Sequence, residues 1–189
     1  MFKSSPVLLN CLLTCLLFTA CEDKKLENNI IVVRPNMVSN SIYKKLDRET
    51  DPFDYFASDT TRKSKTTDLF YYNSLTDFGD TTRSRINICT AYIDSGLLRI
   101  NIGYSYGFGG KGFNIICADD KYSVIPYQTT DQPSKEKTKP TYKIIKQKLI
   151  LNKSRYMVGD SIFGYVDFKL IEDQKITHIG KGYFRGKIE

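Results

Sequence analysis

The stretch LLRINIGYSYGF at residues 97–108 decides the fold class of this chain. Its apolar side chains stand at every second position, at 98, 100, 102, 104, 106 and 108. Because successive side chains of a β-strand point to opposite faces, this spacing predicts a strand with one buried face. The tripeptide Asp94-Ser95-Gly96 before it is typical of a hairpin turn, and it follows another apolar run over residues 86–93.

Further strands are predicted on both sides of this hairpin. Glycine-rich residues 109–112 and polar residues 118–121 are predicted turns, and they extend the hairpin into a four-stranded antiparallel meander. Short strands without convincing helices between them favour an all-β fold, an antiparallel sandwich with a barrel as the alternative. The other predicted strands cover residues 30–34, 142–151, 162–170 and 180–188. The side chains predicted to face the core are Ile100, Ile102, Tyr104, Val166, Phe168 and Leu170.

The segment 36–85 has no clear periodicity, and we expect it to be largely irregular. A short helix over residues 41–48 is the exception, with Ser41 as its predicted N-cap. The strand-rich part of the domain is therefore expected over residues 86–189.

One strand–turn–strand pattern in the C-terminal third resembles a known class of domain. Residues 149–164, LILNKSRYMVGDSIFG, resemble a unit of immunoglobulin-like extracellular modules. The resemblance implies a β-sandwich and no particular activity.

The N-terminus has the pattern of an export signal. Lys3 precedes an apolar run over residues 7–20, and the chain turns polar at Glu22-Asp23-Lys24-Lys25. Fourteen helical residues rise only about 21 Å, which is short of the roughly 30 Å hydrocarbon core of a bilayer. A cleaved signal peptide is therefore favoured over an uncleaved membrane anchor.

The end of this run, Leu17-Phe18-Thr19-Ala20-Cys21, resembles the lipobox of bacterial lipoproteins. The resemblance implies cleavage between Ala20 and Cys21 and attachment of a diacylglycerol to the Cys21 thiol. Phe18 departs from the family pattern, in which leucine is usual at that position. A plain secreted protein remains an alternative, although ordinary signal peptidase prefers a small residue where Phe18 stands.

The lipoprotein resemblance sets the expected organisation and location of the protein. Residues 1–20 are the predicted signal peptide, 21–29 a polar tether, and 30–189 a single β domain. Glu22 stands where lipoproteins retained at the inner membrane carry aspartate, so the resemblance implies the outer membrane of a Gram-negative cell envelope. The face of the membrane that the domain occupies stays open.

Two cysteines remain in the predicted domain. Cys89 and Cys117 both lie in predicted strands. Outside the cytoplasm they could form a disulfide, or both could be free thiols that pack as small apolar groups. The sequence leaves both alternatives open.

Two segments are candidate contact sites for a partner. Lys135, Lys137 and Lys139 lie in a polar loop before the strand at 142–151, and Gly109, Gly110 and Lys111 lie in a predicted turn. A basic loop can contact anionic lipid or an acidic polysaccharide. Because the protein is expected to be exported, nucleic acid is not an expected partner.

No catalytic or cofactor constellation is apparent in the sequence. The chain has one histidine, His178, and we expect it to be structural. The glycine spacing at 107, 109 and 112 matches a nucleotide-binding loop, but a strand and not a helix follows it, so no nucleotide site is predicted. No metal or cofactor is predicted either.

These observations favour a lipid-anchored interaction module of the cell envelope without catalytic activity. Its expected partner is another envelope protein or an acidic glycan. The alternative is an envelope hydrolase that uses carboxylates of residues 47–80, where acidic and aromatic residues mix.

The anchor is directly testable. Cys21→Ala removes the thiol that would carry the lipid, so metabolic labelling with palmitate should mark the wild type and not the variant. On detergent phase separation, the variant should be found in the aqueous phase and the wild type in the detergent phase. Absence of label from the wild type would contradict the lipoprotein prediction.

Overall fold

Two β-sheets that pack face to face form the computed structural model, which describes residues 29–50, 64–76, 87–106, 109–130 and 140–189. One sheet has five strands in the order β1-β7-β8-β9-β2, and the other has four in the order β3-β4-β5-β6. Every neighbouring pair is antiparallel except β1 and β7. The strands are β1 Val32–Val33, β2 Thr67–Asn73, β3 Ile88–Asp94, β4 Leu97–Tyr106, β5 Gly109–Ala118, β6 Lys121–Thr130, β7 Tyr142–Leu151, β8 Ser161–Glu172 and β9 Ile176–Lys187.

The predicted all-β sandwich is confirmed, and the described parts of the two sheets do not close into a barrel. Tyr104 is half-buried, and the side chains of Tyr106 and Phe108 lie outside the described residues. The other predicted core residues are all buried: Ile100, Ile102, Val166, Phe168 and Leu170.

The segment that we expected to be irregular contains regular structure. A 3-10 helix covers Pro35–Ser39, the helix α1 covers Ser41–Arg48, and β2 lies at the edge of the five-stranded sheet. The helix is as predicted, but its N-cap is Asn40, whose side chain accepts a hydrogen bond from the Ile42 amide at 3.1 Å. Strand β2 was missed because its apolar residues occur on both of its faces.

The turn predicted at residues 109–112 is wrong, because these residues belong to strand β5. Gly112 pairs with Gly103 of β4 and with Tyr127 of β6. A Cβ atom at Gly112 would lie 2.3 Å from the Ile102 carbonyl oxygen. Glycine is therefore required here by the close approach of neighbouring strands and not by a turn.

The core of the five-stranded sheet is built on two phenylalanine–glycine pairs between β8 and β9. Phe168 lies opposite Gly180, and Phe184 lies opposite Gly164. A Cβ atom at Gly180 would come within 2.2 Å of the Phe168 ring, and one at Gly164 within 2.1 Å of the Phe184 ring. Each ring therefore occupies the space that a side chain on the facing residue would need.

The two sheets are joined at one end, which we call the turn end. It holds the β3–β4 and β5–β6 turns, residues 152–160 and the C-terminus. Ile188 forms a parallel bridge with Ala91, and the Glu189 amide donates to the Ala91 carbonyl at 2.9 Å. The Gly159 amide donates to the Ile188 carbonyl at 2.8 Å, which ties the β7–β8 connection to the same end.

The phenylalanine–glycine packing predicts a contrast between two glycines of the same strand. Gly180→Ala forces a methyl group into the Phe168 ring and should lower the free energy of unfolding by about 1–3 kcal/mol. In Gly186→Ala the nearest atom to the new methyl group is 3.6 Å away, so this control should be close to wild type. Urea denaturation of both variants measures the difference, and equal stabilities would contradict the packing described.

Candidate functional site

The outer face of the five-stranded sheet is the candidate site. Strands β2, β8 and β9 alternate regularly between inward and outward side chains, and β7 does so after a bulge between Ile144 and Lys146. Helix α1 covers the part of this face next to the turn end, where Tyr43 and Leu46 pack with Ile150. Beyond the helix the outward side chains form a surface that we call the outer platform.

Strand register places the platform residues in two rows across four strands. The first row joins Lys148 of β7, Asp167 of β8, Lys181 of β9 and Phe70 of β2. The second row lies two residues further along each strand. It consists of Lys146, Lys169, Ile179 and Tyr72.

The charge of the platform is strongly positive. Four lysines of the two rows are exposed, and Lys143 of β7 adds a fifth at the border. Asp167 is the single acidic residue of these rows, and its carboxylate lies 2.5 Å from the Lys146 ammonium. The remaining lysines therefore give the surface an excess of positive charge.

Two aromatic rings give the platform an apolar area. Phe70 and Tyr72 are half-buried on β2, with ring centroids 6.4 Å apart and an angle of 3° between their planes. The two rings are therefore parallel and stand side by side on one face of β2, where they present apolar carbon surface that a sugar ring can contact. Lys181 lies directly across from Phe70, so a cation borders this area.

A groove continues the platform towards the 3-10 helix. It has a volume of about 560 Å³ and brings Arg34 and Lys148 together with Tyr165 and Tyr183. The two tyrosine rings have centroids 4.9 Å apart. Burial and the nearby Asp167 carboxylate raise the pKa of Tyr165, whose hydroxyl donates to that carboxylate at 3.5 Å.

The predicted contact site at Gly109, Gly110 and Lys111 needs correction. Gly110 and Lys111 are buried in strand β5 and do not form a protruding tip. The Lys111 ammonium contacts the Thr76 hydroxyl at 3.4 Å, and burial lowers the pKa of Lys111. The other predicted contact residues, Lys135, Lys137 and Lys139, lie outside the described residues, as do Cys21 and the predicted signal peptide.

The disulfide, one of the two alternatives for Cys89 and Cys117, is not formed. Both thiols are free and buried, and burial raises the pKa of each to about 12. Cys89 lies on β3 and Cys117 on β5, with β4 between them. Two strand spacings of about 4.8 Å already exceed the roughly 7 Å that a disulfide can span between Cα atoms.

The described carboxylates of residues 47–80 lie in ion pairs. Asp47 pairs with Arg185, and the Glu49 carboxylate lies 3.0 Å from the Lys65 ammonium. Asp68 lies 3.3 Å from Lys45. These contacts hold α1 and the residues that follow it against the five-stranded sheet. The remaining acidic residues of the segment lie outside the described residues.

His178 has partners that the sequence did not reveal. Its Nε2 lies 2.8 Å from a Glu172 carboxylate oxygen, and its Nδ1 lies 3.1 Å from the Tyr71 hydroxyl. A neutral imidazole satisfies both contacts, since Nε2–H donates to Glu172 and Nδ1 accepts from Tyr71. Tyr71 and His178 are both buried, so this network supports the core and gives no access to a substrate.

The outer platform was not identified from sequence. Its lysines lie on three different strands and come together only through the pairing of β7, β8 and β9. Lysines at alternate positions 146 and 148, and aromatic residues at 70 and 72, were the signal that could have pointed to it.

Among the described residues no three His, Cys, Asp or Glu side chains are placed to hold a metal ion. No helix in that part of the chain is long and apolar enough to span a membrane. Comparisons with protein families, curated proteins and solved structures found no match to this chain.

The His178 network predicts a pH dependence of stability. Burial lowers the pKa of His178 in the folded state, although Glu172 acts in the opposite direction. The pKa of histidine in the unfolded chain is near 6.5. As the pH falls below this value, the unfolded chain takes up the proton before the folded protein does. The free energy of unfolding therefore decreases by at most about 1.4 kcal/mol per pH unit.

Denaturation measured between pH 7.5 and 5.5 should show this loss in the wild type and not in His178→Gln. Because the chain has a single histidine, no other side chain of that type contributes in this window. The same pH dependence in both proteins would contradict the role given to His178.

Proposed function

We propose that this protein is a lipid-anchored, non-catalytic binding module of the cell envelope, and that its outer platform binds an acidic glycan. The observation that carries the proposal is the combination of exposed lysines with the parallel Phe70 and Tyr72 rings. Lysines attract the carboxylates or sulfates of an acidic sugar, and aromatic faces stack on the apolar faces of sugar rings.

The shape of the platform supports an extended ligand. Four strands spaced by about 4.8 Å give a width of about 14 Å, which suits a short stretch of a linear chain. The groove beside it adds Arg34 and Tyr183 as side chains that can donate hydrogen bonds. A flat basic area that continues into a donor-lined groove fits a polymer better than a small molecule enclosed in a pocket.

The platform also lies away from the proposed anchor. Residue 29 enters the fold beside the β5–β6 turn, where the Tyr122 amide donates to the Asn29 carbonyl at 3.1 Å. The platform lies beyond helix α1, towards the opposite end of the strands. An anchor at Cys21 would therefore leave this surface free to meet a ligand.

The hydrolase alternative has less support. The described carboxylates of its proposed region, Asp47, Glu49 and Asp68, are each engaged with a cation that holds the fold together. Paired carboxylates that face one another across a cleft would be needed for glycoside hydrolysis.

Calorimetric titration with a uronic-acid polysaccharide tests the glycan proposal. Replacing Lys146, Lys169 and Lys181 with glutamine should lower affinity about tenfold at low salt, because three charges near the ligand are lost. Replacing three exposed lysines elsewhere, Lys44, Lys121 and Lys175, is the matched control and should change affinity little.

The aromatic contribution needs a separate pair of variants. Phe70→Ala and Tyr72→Ala should each weaken binding by about tenfold through lost stacking. Tyr92→Ala removes a tyrosine that is 41% exposed on strand β3 of the other sheet and serves as the control. Single-stranded DNA is the charge control. If it bound as tightly as the glycan, and if neither Phe70→Ala nor Tyr72→Ala weakened binding of either ligand, charge alone would explain binding and the glycan proposal would fail.

The lysines at 135, 137 and 139 remain a predicted contact site for a partner. They precede strand β7, which carries Lys143, Lys146 and Lys148. A glutamine triple variant of the loop should therefore reduce glycan affinity less than the platform variant does. A larger effect in the loop variant would move the proposed site from the platform to the loop.

A further inference from the structure

Two large apolar side chains project from the turn end. Met157 is 74% exposed and Val158 is 71% exposed, the highest values among the large hydrophobic residues that the structure describes. Both lie in the connection between β7 and β8. Such exposure of two adjacent apolar residues at the tip of a connection indicates a contact surface.

The backbone around this tip is held in place by hydrogen bonds. The Asp160 carboxylate accepts from the Met157 amide at 3.0 Å, and the Asp160 amide donates to the Met157 carbonyl at the same distance. The Gly159 amide donates to Ile188, and Gly159 has a φ of +91° that favours glycine. The fold therefore fixes both apolar side chains in an outward position.

The chain enters the domain at the same end. The Ile31 amide donates to the Asp120 carbonyl at 2.7 Å, and a cleft of about 570 Å³ is lined both by Ile31 and Val33 and by Arg155 and Tyr156. The entering segment thus lies beside the residues that lead into the Met157–Val158 tip. Ile30, Val32 and Val33 are also 40–53% exposed, which extends the apolar character of this end.

The length of the tether places this end near a membrane. Seven residues lie between Cys21 and Asn29, so eight Cα–Cα steps join them and span at most about 28 Å when fully extended. We propose that Met157 and Val158 form a second membrane contact, inserted in the same leaflet that receives the Cys21 lipid. This inference rests on the lipid anchor of the proposed function.

A lipid surface suits this tip better than a protein partner does. A stable protein interface buries about 800 Å² on each side, far more than two side chains supply. Shallow insertion needs only the transfer of the apolar groups from water, which gives a factor of roughly ten or more in the partition coefficient for each buried side chain.

Charges near the tip indicate which lipids it should prefer. The Lys153 ammonium is paired with Asp160 at 2.8 Å, and Asp119 and Asp120 line the same cleft as Arg155. Positive and negative groups therefore nearly balance. Insertion should be driven by apolar transfer and should depend little on anionic lipid.

Tryptophan fluorescence tests the proposal directly, since the chain contains no tryptophan. Val158→Trp is compared with the control variant Ile145→Trp. Ile145 is 49% exposed. It lies six residues before Leu151 and therefore about 20 Å along β7 from the turn end. Each palmitate-labelled protein is reconstituted in phosphatidylcholine vesicles with brominated acyl chains. Circular dichroism confirms that both variants are folded.

The expected result is a blue-shifted emission and loss of most of its intensity for the tryptophan at position 158, with neither effect at position 145. Adding phosphatidylglycerol should change little. Equal quenching at the two positions in vesicle-bound protein would overturn the proposal. Glycan binding of the same samples shows whether the proposed function fails separately.

Discussion

The architecture depends on the packing of Phe168 in the space above Gly180. Because Gly180 has no side chain, the ring can pack against the neighbouring strand and still reach the other sheet. There it meets Phe113 edge to face, with ring centroids 4.8 Å apart. Tyr71 packs against Phe113 at 5.3 Å and carries the hydrogen bond to His178. This cluster joins β2, β5, β8 and β9 into one core.

The inner packing also determines the outer surface. Since side chains alternate along a strand, a register that places Phe168 and Phe184 inside places Asp167, Lys169 and Lys181 outside. A shift by one residue would bury the lysines and expose the core. The positive charge and the aromatic pair of the platform are therefore consequences of the same pairing that forms the core.

Local sequence patterns predicted the parts of the fold that depend on near neighbours. The alternation in residues 97–108 and the turn at Ser95-Gly96 were sufficient for the β3–β4 hairpin, where positive φ values of 52° and 79° occur at the turn. Strand β7 was predicted with its observed bounds. Glycines 109, 110 and 112 misled the prediction, because the close approach of strands and a tight turn both require glycine.

The candidate site could not be predicted in the same way. Phe70 of β2 and Lys181 of β9 are neighbours only through a pairing between strands far apart in sequence. The partners of His178 were hidden for the same reason, since Tyr71 is 107 residues away along the chain. Sequence patterns show which residues share a face of one strand, whereas the order of strands in a sheet decides which faces adjoin.

The most direct test of the account is a titration of isotope-labelled protein with an acidic oligosaccharide, followed by amide chemical shifts. The account predicts that shifts cluster on β2, β8 and β9 around Phe70, Lys169 and Lys181, and that amides of the β3–β4 and β5–β6 turns stay unchanged. Shifts confined to the turn end or to the four-stranded sheet would contradict it.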